Sequence, residues 1–109
     1  MAFPDPFTPQ DAQDLVRELA DLSHPVNFTD HFFDRADLRD VDPRDVLRAL
    51  CKGIVTAGPT WDADYRDWNV TLEGSSAGLS LRVELAISED KKYFAADVKT
   101  VIVIRESTE

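Results

Sequence analysis

At 109 residues, with 43% hydrophobic and 30% charged side chains, the chain is long enough for one hydrophobic core and too apolar to stay disordered. Its 21 Asp and Glu stand against 12 Lys and Arg, a formal charge of −9. That balance disfavours broad binding to polyanions and attraction to an anionic membrane surface. The lone Cys51 excludes an intramolecular disulfide, and two histidines without a Cys-x-x-Cys pair speak against a structural zinc site.

The opening Met-Ala-Phe-Pro-Asp-Pro-Phe has no basic start and no apolar h-region, and Val101–Ile104 is far too short a run to span a bilayer. A cytoplasmic protein without a membrane segment is expected. The whole of 1–109 reads as one domain. Residues 1–25 form an arm and a first helix, and residues 26–105 form the core.

Along the arm, Phe3 and Phe7 are placed to tuck onto that core. Thr8-Pro9 reads as a helix cap followed by a first-turn proline. Ala12, Leu15, Val16, Leu19 and Leu22 then recur at helical spacing, until Ser23-His24-Pro25 ends the pattern. His24 reads as a loop residue. Val26-Asn27-Phe28 is a short strand candidate. Thr29 or Asp30 caps a second helix reaching about Arg39, and Asp42-Pro43 starts a third. Val46, Leu47, Leu50, Cys51 and Ile54 form the apolar face of that third helix, with Cys51 in the core and Gly53 as the stop.

The second half changes period. Residues 55–67, with Gly58-Pro59, are a connection or one more short strand. Their Asp62, Asp64 and Asp67 read as solvated loop charges, since the glycine and terminal Glu of a calcium loop are missing. Trp68, Val70 and Leu72 alternate with polar residues, Gly74 to Gly78 reads as a turn, and Leu79 to Ile87 alternate without a break. Val98 to Ile104 reads as a more central strand. Helices collected ahead of strands predict an α+β fold, with the N-terminal helices packed on one face of a small antiparallel sheet.

One constellation carries chemistry. His31, Arg35 and Arg39 are spaced i, i+4, i+8, so a helix persisting to residue 39 lines all three on one face. An imidazole moves protons near neutral pH, and guanidiniums fork onto phosphoryl oxygens. The same residues can equally form a solvated face paired with nearby carboxylates.

The segment from Phe28 to Val46, with its H-x-x-x-R-x-x-x-R helix, a following valine, a cap and an Asp-Val helix, resembles a family of uncharacterised domains. Asp67-Trp68-Asn69-Val70 and Val98-Lys99-Thr100-Val101 resemble that family's following sheet. The resemblance covers about residues 26–105, and the family looks related to BrnT-like and RelE-like small toxins, more loosely to MqsR-like ones. It implies a toxin–antitoxin type module whose toxin cuts RNA without metal or cofactor. His31 would be general acid or base, with Arg35 and Arg39 as phosphate clamps. Lys99 or Thr100 would complete the site if its side chain faces the helix. An antitoxin or another protein would be the partner.

Arg44, Arg48 and Lys52 fall on one outward stripe of the third helix and offer a local basic surface, though Asp45 and Arg48 can simply pair. Trp61, Tyr65 and Trp68 can stack on a base or cover a core edge. Acidity concentrates away from the motif: residues 1–30 hold six acidic and one basic side chain, 31–60 five and five, 61–109 ten and six. A second reading is therefore a non-catalytic interaction module on the same fold, binding a basic protein through its acidic surface. The first helix packs on its own domain or on a second subunit, which leaves a dimer open.

Overall fold

The computed structural model describes residues 3, 5–22, 26–39, 41–76, 78–90 and 93–106. The side chains of 35–39, 76, 89, 90, 93, 105 and 106 fall outside that description. His24 and the Ser23-His24-Pro25 ending of the first helix lie outside the described residues.

Local chemistry sets the helices. In α1 (Pro9–Leu22) the Asp11 amide donates to Thr8 Oγ1 and the Thr8 amide donates to Asp11 Oδ2, each at 3.1 Å. This reciprocal cap satisfies two amides that the first turn leaves open. Ala12, Val16, Leu19 and Ala20 are the buried stripe. After β1 (Val26–Phe28), α2 (Asp30–Arg39) is capped by Thr29, whose Oγ1 accepts from the Phe32 amide at 3.2 Å. Asp42 and Asp45 exchange the same pair of bonds at the start of α3 (Pro43–Cys51).

Four longer strands follow: β2 (Ile54–Asp62), β3 (Asp67–Ser76), β4 (Leu79–Asp90) and β5 (Tyr93–Glu106). The sheet order is β1-β5-β4-β3-β2. Neighbours from β2 to β5 are antiparallel, but β1 joins the far edge parallel to β5, so the sheet is mixed. The α+β class stands, with three helices and one five-stranded sheet among the described residues.

All three helices contribute to one core against one face of the sheet. Val16 of α1, Phe32 of α2 and Leu50 of α3 are buried with Val70, Leu72, Val83, Leu85 and Ile87 of β3 and β4 and Val98 and Val101 of β5. The arm joins this core as expected: Phe7 is buried and Phe3 packs beside it. Alternation then forces the intervening polar residues of β3, β4 and β5 onto the opposite, helix-free face.

Several expectations change. Of the two alternatives for residues 55–67 the strand holds, over residues 55–62 within β2; two register irregularities around Ala57 to Thr60 bend it. Gly74 lies inside β3, opposite Leu81, and not in a turn. Ile54 opens β2 and is exposed instead of continuing the apolar face of α3. Cys51 is exposed, because Ala49 and Leu50 occupy the inward positions of the last turn. Gly53 does follow the end of α3, but for closeness: a Cβ there would stand 2.9 Å from the Ala49 carbonyl oxygen.

Candidate functional site

The helix-free face is ordered in cross-strand rows. One runs Thr60, Asn69, Ala86, Asp97, Asn27 across all five strands, and the next runs Ala57, Thr71, Glu84, Thr100. Between Val98, opposite Leu85, and Thr100, opposite Glu84, the residue Lys99 has no register partner. It is the extra residue of a β-bulge. A bulge places consecutive side chains on one side, so Lys99 and Thr100 both leave the core face that Val98 and Val101 keep.

Lys99 lies across β4 and reaches β3, where Nζ donates to Asn69 Oδ1 at 3.1 Å. The same ammonium sits 5.9 Å from the centre of the Tyr65 ring, a cation–π distance. Ala57, Gly58 and Thr60 of the bent β2 close one side of a pocket of about 300 Å³; Asn69, Thr71, Glu84 and Lys99 supply its polar lining. Gly58 holds a left-handed φ of 87°, and a Cβ there would press on the Asn69 carbonyl oxygen at 2.5 Å. Only glycine suits both conditions.

Asp67 interacts electrostatically with this lysine and with two further carboxylates, Asp62 and Asp97. Asp97 accepts from Asn27 Nδ2 at 3.2 Å. Asp62 accepts the amides of Asp64 and Tyr65 at 3.0 and 3.3 Å, which shapes the turn into β3. Asp67, only 9% exposed, has an Oδ1 without a hydrogen-bond partner. Its pKa is raised, first by loss of solvation, partly offset by Lys99 and then pushed further by Asp62 and Asp97. Reading Asp62, Asp64 and Asp67 as solvated loop charges thus fails for Asp67, because β3 begins at that residue.

The residues singled out by sequence fall into separate places. His31 is exposed on α2, and α2 does extend to Arg39. The side chains of Arg35 and Arg39 lie outside the described residues. Lys99 turns its ammonium two strands away from β5, toward β3, whereas α2 packs beside β5. Thr100 stands in register with Glu84. The condition for joining Lys99 to the helix face, that its side chain turn toward α2, is not met. Arg44 is exposed, and Arg48 pairs with Asp45 at 3.6 Å. Trp68 is half-buried against Phe7, at 5.3 Å between ring centres, so it belongs to the core edge.

Among the described residues, no group of three His, Cys, Asp or Glu side chains is placed to hold a metal ion. No helix among them is long and apolar enough to cross a membrane. Comparison with protein-family models, curated proteins and solved structures gives no match to this chain.

Proposed function

We propose that this chain is a protein-interaction module that receives a basic polypeptide segment on the helix-free face of its sheet. The observation that supports this reading is the bent, pocketed face itself, open on the side away from the helices. Glu84 and Asp97 stand in its rows, and its lysine is already bonded to Asn69. Small residues at 57 and 58 leave room for an incoming backbone, and Thr60 and Thr71 offer hydroxyls to it. A partner of the antitoxin kind, as the family resemblance implies, would have to match this acidic chemistry.

A second reading rests on α2. Because the helix extends to Arg39, His31, Arg35 and Arg39 share one helix at the spacing that a metal-independent endoribonuclease would use to clamp a phosphate and move a proton.

Calorimetric titration of the full chain with a lysine-rich peptide at low salt separates the two. The interaction reading expects saturable binding, weakened about fivefold in the Glu84→Gln/Asp97→Asn variant, since exposed charge pairs are worth about 1 kcal/mol. Binding that is absent, or indifferent to both substitutions, overturns it. Cleavage of single-stranded RNA by the chelator-treated protein, lost in His31→Ala, would establish the second reading instead.

A further inference from the structure

On the other side of the sheet, where the N-terminal arm meets β2 and β3, a groove of about 630 Å³ opens to solvent. It is lined by Phe3, Asp5, Pro6, Phe7, Trp61 and Trp68. Trp68 is its floor. Trp61, directly opposite it in the β2–β3 register, inclines at 59° with ring centres 5.2 Å apart. Phe7 inclines to Trp68 at 66° with ring centres 5.3 Å apart, and Phe3 at 67° and 6.3 Å. The rings are thus mutually tilted along the groove, and Asp5 is the acidic residue among those that line it.

Trp61 is 46% exposed although it is among the largest apolar side chains of the protein. Its cross-strand partner is held in the core edge, so burial alone does not require an indole at position 61. Three features converge on one ligand chemistry. Aromatic faces carry the negative side of a quadrupole and attract cations, with tryptophan the strongest. Asp5 adds a full negative charge, and the chain as a whole carries −9. An anion would meet repulsion on all three counts, whereas a neutral apolar group would use the rings and leave the carboxylate unused.

We infer that this groove is a binding site for an alkylammonium group, of the quaternary or methylated-amine class. The cation would rest on Trp68 between Trp61 and Phe7, with Asp5 as its counter-charge. The site is independent of the helix-free face, which lies across the sheet from it.

The test is a tryptophan-fluorescence titration of the full chain with choline chloride, against sodium chloride at equal ionic strength. The comparison ligand is 3,3-dimethylbutan-1-ol, the neutral carbon isostere of choline. Saturable quenching by choline is expected, with the alcohol at least about tenfold weaker, because only the cation feels the quadrupole and Asp5. Trp61→Ala should weaken choline binding about tenfold, Trp61→Phe less, and Asp5→Asn about threefold. Glu84→Gln should leave it unchanged. Equal affinity for the alcohol, no saturable response, or insensitivity to both Trp61→Ala and Asp5→Asn overturns the assignment. Trp61→Phe keeps a ring against Trp68, so it reads the site even if the alanine variant loses its fold.

Discussion

Asp67 is a buried acid that the fold leaves only partly satisfied. The residue is 9% exposed and its Oδ1 is buried without a hydrogen-bond partner, so the ionised form is penalised. Its pKa in the fold therefore lies above the ordinary value of 3.8. For a group raised on folding, the stabilising contribution is complete below 3.8 and is lost as pH climbs through the raised value. At neutral pH Asp67 thus holds the protein below the stability it would otherwise have. Asp67→Asn should stabilise it at pH 7 by about 1 kcal/mol, a rise in Tm of about 4–6 °C at this chain length. The advantage should shrink as the pH falls toward 3.8. Thermal melts across a pH series check this; a variant that melts lower than the parent at pH 7 contradicts it. The sequence holds part of this information, because Asp67 is in phase with the outward residues Asn69 and Thr71. It does not say that this outward face is partly covered. Nor does it say that Lys99, at a bulge in another strand, crosses β4 and acts electrostatically on this carboxylate.

The elements divide by how local their causes are. α1 and α3, their caps and the long alternation of β4 are legible because each is decided by neighbours three or four residues apart, or two. The bulge in β5 is written more faintly: the inward residues Ala96 and Val98 keep a step of two, and then Val101 breaks it. The parallel docking of β1 on β5 has no local signal at all, since nothing in Val26-Asn27-Phe28 names a partner seventy positions on. Gly74 is the instructive failure. In a Gly-Ser-Ser-Ala-Gly stretch it reads as a turn residue, yet it lies in β3 where α3 crosses, and a Cβ there would collide with the Ala49 carbonyl. The glycine is set by the approach of a helix, not by chain reversal. Gly74→Ala should therefore cost about 1–3 kcal/mol, the range for overpacking a rigid contact. Urea denaturation would show a lower midpoint, whereas Ser75→Ala, on the exposed neighbour, should change little. Equal midpoints for the two variants would mean that α3 can lift away from β3 freely.

At the scale of the whole molecule, charge acts in two opposed directions. The excess of acid sits in the first thirty residues and in the sheet half, where six and ten acidic side chains face one and six basic ones. Among the described residues, the ion pairs of Glu73 with Arg82 at 3.5 Å and Asp45 with Arg48 at 3.6 Å are both partly solvated and so of small worth. The remaining self-repulsion destabilises the compact state, and salt screens it over a Debye length of about 10 Å at 0.1 M. Raising sodium chloride from about 0.02 to about 0.5 M should therefore raise the Tm. The same screening should weaken a lysine-rich peptide on the helix-free face, where attraction and not repulsion is being lost. Few other arrangements give opposite signs. A basic site dominated by Arg44 and Lys52 would repel such a peptide, and salt would help its binding rather than hinder it. A parallel series of melts and peptide titrations in the same buffers decides between them. Tm and peptide affinity should move apart as salt increases, and if both rise together the acidic face is not where the peptide binds.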